Sequence, residues 1–411
     1  MGTVSTSAAL YVAVTSPSQL LGAQPDEAKE LKHHLKNGKG FRNPWDSYQD
    51  TIKPKTILAF IWRIISRTGN IPDTTSPAVA VHKPTFLESR QTTALRSTWL
   101  GHACYYVEFP GGFRVLFDPV FTERCSPFSF MGPKRYTDIP CQIDHIPFID
   151  AVVISHNHYD HMSHPTIIQI KKQHPNVHFF VPLGNKKWFL DCGIHNVTEL
   201  DWWESRDLKL SLMESKAKEG SQVSVLEAGR ADAMAANGPE TMTATIGCLP
   251  CQHTSARGPF DKGRTLWASW SVESGGKKVY FAGDTGYRTV PKLPAGYDDY
   301  DAKLKLPHCP AFAEIGSLRG PFDLGLIPIG AYEPRFIMSS MHANPKDSVN
   351  IFVDTKCRRA LGMHWGTWVL TEEDVHEPPR LLKTALKAKN IPETGVFDVC
   401  DIGESREFEA L

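Results

Sequence analysis

The stretch ISHNHYDHMS, Ile154 to Ser163, packs three histidines and an aspartate into the six residues from His156 to His161. Before it runs FIDAVVIS, Phe148 to Ser155, an apolar, β-branched segment that predicts a buried strand. The H-x-H-x-D-H pattern therefore falls where a strand ends and a loop begins. Neutral imidazoles and a carboxylate are the usual ligands of Zn²⁺ and related ions. One short loop cannot surround an ion, so further ligands are expected elsewhere in the chain.

Three other strand ends carry such side chains. TATIGCLPCQH ends on His253, KKVYFAGDTG carries Asp284, and RRALGMHWGT carries His364. Each follows an apolar run, as the first cluster does. If these strand ends share one edge of a core, their loops meet there. His156, His158, Asp160, His161, His253, Asp284 and His364 together exceed what one tetrahedral ion takes. Two ions about 3.5–4 Å apart, sharing a carboxylate and a water, would use all seven. The reaction class is then metal-assisted hydrolysis. Singly, His253, Asp284 and His364 carry little weight; they count as members of the set.

The length of 411 residues suggests two to three domains. Hydrophobic residues make up 41% and charged residues 22%, as in ordinary soluble proteins. The 45 basic residues balance the 45 acidic ones, which excludes an overall positive field for nucleic acid. Nine scattered cysteines argue against a secreted disulfide scaffold. Cys248 and Cys251 have C-x-x-C spacing, but no second pair completes a four-cysteine zinc site, and they read as incidental thiols in a strand. No apolar run reaches the length of a membrane-spanning helix. No signal-peptide pattern opens the chain, while MGTVST fits the loose N-myristoylation pattern. An intracellular, cytosol-facing, peripheral membrane location is expected from these features.

Residues 1–95 read as an N-terminal extension, polar and poorly ordered to about residue 50. Within it DEAKELKHHLK, Asp26 to Lys36, reads equally as a short charged helix or a solvated tail. Lys53 to Arg67 places Ile57, Leu58, Ile61, Trp62 and Ile65 at helical spacing between basic flanks. Such a helix can lie in a membrane interface or pack on the body, and both readings stay open. Residues 96–411 read as the hydrolase domain, with insertions near 213–242 and 288–309. STWLGHACYYVEF and FRVLFDPVF predict two strands of a hairpin turning at Pro110-Gly111-Gly112. Strands then alternate with helices, which implies an α/β core.

The ligand pattern is similar to that of the metallo-β-lactamase superfamily. More specifically, the chain resembles the N-acylphosphatidylethanolamine-hydrolysing phospholipase D family. The resemblance is carried by TWLGHA, FDPVF, MGPKRY, ELDWWE, FAGDTGY, GPFDLGLIPIGAYEPR, MHWGT and EPP, from Thr98 to Pro379. It implies a four-layer αββα sandwich with two zinc ions at one edge. His156, His158 and His253 would hold one ion, Asp160, His161 and His364 the other, and Asp284 would bridge them. It implies cleavage of a phospholipid substrate to phosphatidic acid and an N-acylethanolamine at a membrane surface, and a homodimer. Tyr159 and His342 align with positions near the phosphate, and Asp284 and Asp160 could steer a proton. His102 and Asp118 fit better as groups that orient ligands than as ligands.

The chain also departs from the family. TSARGPFDKG follows His253 where animal members carry a Trp and a Lys, and Arg257 could serve there as a head-group cation. Met341 stands where a polar amide is usual. Trp202, Trp203, Trp188, Phe189 and the 57–65 stretch are candidates for an apolar groove, with plain core as the competing reading. Two alternatives remain at this point: another dinuclear hydrolase, such as a sugar-phosphate lactonase or a different phosphodiesterase, and a non-enzymatic lipid-binding scaffold. The presence of all seven ligands argues against the scaffold.

Overall fold

The computed structural model describes residues 7–17, 22–51, 53, 58, 62, 63, 66, 68–76, 79–215, 241–294 and 296–409. Two mixed β-sheets face each other. One contains β2 (Leu95–Trp99), β3 (Tyr105–Glu108), β4 (Arg114–Phe117), β5 (Ala151–Val153), β6 (His178–Pro182), β7 (Val197–Leu200) and β15 (Ser405–Phe408), in the order β15-β2-β3-β4-β5-β6-β7. The other contains β1 (Ser7–Thr15), β8 (Ser205–Ser215), β9 (Thr241–Leu249), β10 (Ser269–Ser274), β11 (Lys277–Phe281), β12 (Leu324–Pro328), β13 (Ala360–Met363) and β14 (Phe397–Asp398), in that order.

Period-two alternation builds the layers. Val107, Val115, Phe117, Ala151 and Val153 point into the core shared with the second sheet, where Phe117 meets Phe281. Tyr106, Leu116 and Val152 point the other way. There they meet Ile167 and Ile170 of α1 (His164–Gln173) and Phe189 of α2 (Lys186–Asp191). The second sheet is covered by α3 (Ala311–Leu318), α5 (Pro345–Asp354) and α6 (Glu377–Ala388), with the short α4 (Arg335–Met338) in the connection before α5. Asn344 starts α5: its side chain accepts from Asp347 N at 2.9 Å, and Pro345 follows at the first position. This is the expected αββα sandwich.

β4 to β7 run parallel, and so do β11 to β14. Parallel strands release their C-terminal loops at one edge, where α/β sheets build sites.

Several expectations need correction. STWLGHACYYVEF is not one strand. It folds back between β2 and β3 over Leu100–Cys104, with Leu100 N donating to Cys104 O at 2.8 Å. The body also begins before residue 96. Val81 bridges Ile402, and buried Arg90 makes a two-pronged pair with Asp150 at 2.7 and 2.7 Å. The described part of the N-terminal extension is attached rather than loose: β1 pairs with β8, and residues 31–51 lie against the loops of the second sheet.

Most of the 53–67 stretch lies outside the described residues. Of those described, Leu58 and Trp62 are 65% and 66% exposed, and Arg63 Nε donates to Glu372 Oε1 at 2.8 Å. Residues 216–240 of the first insertion also lie outside them; its flanks are the ends of β8 and β9. The second insertion is tied down by Arg288 to Asp347 (3.1 Å) and by Arg335 to Asp299 (2.9 Å). Trp202, Trp203 and Phe189 are core residues, which removes them from the groove. Cys248 and Cys251 are buried free thiols.

Candidate metal centre

The loops after β4, β5, β9, β11, β12 and β13 converge on one buried cluster. His156 Nε2 lies 2.8 Å from His158 Nδ1, which lies 3.3 Å from His253 Nε2. A second group faces it: Asp160 Oδ2 stands 3.3 Å from His161 Nε2 and 3.4 Å from His364 Nε2. Asp284 Oδ2 sits between the groups, 3.0 Å from His364 Nε2, 3.1 Å from His161 Nε2, 3.8 Å from His253 Nε2 and 3.9 Å from His156 Nε2. The structure thus brings together all seven ligand candidates.

The outward hydrogen bonds decide what the inner nitrogens carry. His253 Nδ1 lies 3.0 Å from Met341 O, which can only accept, so Nδ1 holds the proton and Nε2 faces the cluster bare. His161 Nδ1 donates to Asp118 Oδ2 at 2.7 Å. Ser155 gives its hydroxyl proton to Asp118 and accepts from His156 Nδ1 at 2.9 Å. His156 and His253 therefore present unprotonated Nε2 atoms to a common centre, and His161 turns its Nε2 toward the same centre. His161 Nε2, His364 Nε2 and Asp284 Oδ1 are buried there without a hydrogen-bond partner. Imidazoles and carboxylates gathered this closely, with buried ring nitrogens left unpartnered, make a site for a cation. Two carboxylates and five imidazoles are the donor set of a borderline divalent metal, and the residues fit it.

The electrostatics agree. Burial pushes His156 and His253 well below the ordinary imidazole range, keeping them neutral. Burial opposes charge on Asp284 too, but the facing His161 and His364 hold its carboxyl well below the usual carboxylate range. His364, disfavoured by burial but facing Asp284 and Asp160, is lifted to about 9. The centre attracts positive charge.

His342 arrives on the loop between α4 and α5, its Nδ1 3.9 Å from Asp284 Oδ2, buried and without a partner. Burial pushes it down to about 4. Tyr159 shares the ligand loop, but its ring lies under the Arg257 guanidinium at 4.0 Å. Arg257 Nη1 donates to Asn157 O (2.8 Å) and Met162 O (2.9 Å), so this arginine clamps the loop that carries the ligands. His102 lies 3.0 Å from Asp160 Oδ2 and is pushed down to about 3 by burial, as fits a neutral group orienting a ligand.

Sequence reasoning missed a strap. Asn43 Nδ2 donates to His253 O at 2.7 Å, and Ser47 Oγ to Gln252 Oε1 at 2.6 Å. Gln252 Nε2 in turn donates to Ser340 O at 2.9 Å, and Thr51 Oγ1 to Ile337 O at 2.6 Å. The N-terminal arm so ties the His253 and His342 loops together. Met341, noted for its unusual side chain, acts through its carbonyl. A Cβ at Gly286 would lie 2.4 Å from Ser340 O, so only glycine allows the Asp284 and His342 loops to touch.

Residues 113–365 match the family described as the β-lactamase superfamily domain. The N-acyl-phosphatidylethanolamine-hydrolyzing phospholipase D 1 of Caenorhabditis elegans is 34% identical over 391 residues, 92% of this chain and 94% of the relative. The mitochondrial N-acyl-phosphatidylethanolamine-hydrolyzing phospholipase D of Saccharomyces cerevisiae is 30% identical over 307 residues, 74% of this chain and 54% of the relative. Among solved structures, the metallo hydrolase Igni18 of Ignicoccus hospitalis overlays 78% of this chain and 100% of its own, at 19% identity and a TM-score of 0.44.

Proposed function

The chain belongs to the N-acylphosphatidylethanolamine-hydrolysing phospholipase D family of the metallo-β-lactamase superfamily and is a metal-dependent hydrolase, and from that premise we propose that it hydrolyses N-acylphosphatidylethanolamine with two zinc ions bound. Water replaces the ethanolamine oxygen on phosphorus. The P–O bond to N-acylethanolamine breaks, that oxygen takes a proton, and phosphatidic acid is the other product.

The observation that carries the two-ion reading is Asp284 Oδ2, within 4 Å of nitrogens from both ligand groups. Two ions there would supply positive charge toward the phosphoryl oxygens and acidify water. The chain's own groups do the rest. Asp118, Ser155 and Met341 O keep the imidazole protons on the outside. Asp160 and Asp284 are the carboxylates that would take a proton from water. His342, held neutral by burial, faces the centre and can donate to a phosphoryl oxygen or the leaving oxygen. Tyr159, on the same loop as the ligand candidates with its ring under Arg257, would be a further contact for the head group. Arg257, engaged with two loop carbonyls, keeps the loop in place and contacts a head group only through its remaining donors.

The substrate assignment rests on the named relatives. Work at a membrane surface is supported by exposed apolar side chains on the loop 126–132, where Phe130 is 76% and Met131 55% exposed, and by Phe260 at 91%. Among the described residues no helix is long and apolar enough to cross a membrane.

The test is a product assay. Incubated with N-acylphosphatidylethanolamine in mixed micelles, with and without a chelator, the protein should release phosphatidic acid and N-acylethanolamine only without it. Survival of the lipid while a generic phosphodiester is cleaved would sink the substrate assignment and leave the hydrolase.

A further inference from the structure

The N-terminal arm carries a cluster that the metal centre does not use. Leu31 closes the turn after the 3-10 helix Asp26–Glu30 in the left-handed region (φ 47°), and His34 N bonds to Leu31 O at 2.8 Å. In extended chain two consecutive side chains point to opposite faces. Here the turn sends both imidazoles to the same carboxylate. His33 Nε2 lies 2.7 Å from one oxygen of Asp201, and His34 Nε2 lies 2.7 Å from the other. Asp201 follows β7, and Trp202 N fixes its carboxylate with a 2.7 Å hydrogen bond. The rings are held by an aromatic wall. His33 stacks on Trp202 at 4.4 Å, and His34 meets Phe41 edge-on at 5.0 Å.

We infer that His33, His34 and Asp201 hold a divalent transition-metal ion of the zinc class, which pins the N-terminal arm to the body. Two imidazoles and a carboxylate form a donor set for such an ion, whereas calcium and magnesium take oxygen. The metal centre of the same chain gives the scale. There imidazole nitrogens stand 3.0 and 3.1 Å from a ligand carboxylate. Donors about 2.0–2.1 Å from an ion stand about 2.9–3.4 Å apart, so each nitrogen–oxygen pair needs to open by only a few tenths of an ångström. The entrance lies beside His34, whose side chain is 34% exposed against 7% for His33 and 13% for Asp201. Water can complete the coordination from that side. The arm continues from the clasp to Asn43 and Ser47, which bind the His253 loop. The third ion thus anchors the strap that positions a ligand of the metal centre.

The experiment counts metal and uses no activity readout. Tag-free, full-length protein is equilibrated with Zn²⁺, separated from free ion by gel filtration, and analysed by plasma mass spectrometry. Asp201→Asn, which keeps the shape of the carboxylate, should hold one equivalent fewer than the wild type. Asp284→Asn should lose zinc from the metal centre and keep the clasp ion. Equal zinc in wild type and Asp201→Asn overturns the inference. Anomalous scattering at the zinc edge on crystals of the intact chain needs no variant: a peak among the three side chains supports the site, and its absence at saturating zinc overturns it.

Discussion

Asp118→Asn changes one atom and should disable the metal centre from outside it. The Asp118 side chain accepts from Ser155 N at 2.7 Å, from the Ser155 hydroxyl and from His161 Nδ1 at 2.7 Å. It is 1% exposed, so water cannot replace any of these bonds. Asparagine brings one oxygen to three donors. If that oxygen stays with Ser155, the amide N–H₂ meets His161 Nδ1. Donor then faces donor unless His161 moves its proton to Nε2. That proton would point at Asp284, 3.1 Å away, where an ion needs a lone pair. If the amide turns round, it opposes Ser155 N instead and leaves a buried N–H unpaired, at a cost of about 1–3 kcal/mol.

Removing the outer partner of a ligating histidine typically lowers metal affinity or activity by about 10–100-fold. At about 1.4 kcal/mol per tenfold, that is about 1.4–2.8 kcal/mol, the same size as the unpaired-donor cost. The expected result is weaker zinc binding in competition with a chelator of known affinity, with turnover reduced by a similar factor at ordinary zinc. Excess zinc should restore part of the turnover. A variant with wild-type zinc affinity and wild-type turnover would refute the claim that Asp118 sets the His161 tautomer.

Two further outcomes are expected. Asn43→Ala removes the donor to His253 O, a bond of 2.7 Å; it should lower stability by about 1 kcal/mol and turnover by up to about fivefold, with KM unchanged, as read from a melting curve and steady-state kinetics. A KM effect alone would remove the strap from the reaction. Burial, helped by Glu373 and Glu377, pushes the Glu333 carboxyl up to about 7 from an ordinary 4.5, so the folded chain keeps a proton that the unfolded chain releases. That contribution is present below about pH 4.5 and is lost as pH rises through about 7. Glu333→Gln should therefore raise the melting temperature at pH 8 and leave it unchanged at pH 4.5. The gain is at most about 3 kcal/mol, cut to about 1–2 kcal/mol by solvent at a half-buried site, and equal melting curves for both proteins at pH 8 would count against it.

The candidate metal ligands are legible in the sequence because chemistry narrows the choice of residue. Only imidazole, carboxylate or thiolate serves, and each ligand segment follows an apolar run that marks a strand end. Parallel strands then bring those ends to one edge without further information. The strap is not legible for the opposite reason. Residues 31–51 are polar, and polarity reads as solvation. The arm nevertheless docks, through Phe41 and Trp45 packed on the core and through single hydrogen bonds from Asn43, Ser47 and Thr51 to backbone and amide groups of the ligand loops. Such bonds have no period and no composition. The β2–β3 turn escaped because its apolar flanks run together across LGHAC, leaving Gly101 (φ 100°) as the one turn signal.

The same edge shows why local rules fail where function is concentrated. His102, Asp118 and His364 have φ of 52°, 38° and 64°, in the left-handed region that glycine enters freely. Each non-glycine residue there costs on the order of 1 kcal/mol. A sequence optimised only for folding would place glycine or asparagine at all three. None of the three can be glycine here, because His364 is a candidate metal ligand and the other two hold the candidate ligands Asp160 and His161. The sandwich tolerates that cost because the strands feeding the edge are buried on both faces: Val115 and Phe117 meet one core, Leu116 the other. His364→Gly should then relax the backbone and empty half of the metal centre. A gain in apo-protein stability together with loss of zinc would separate the strain from the chemistry that maintains it.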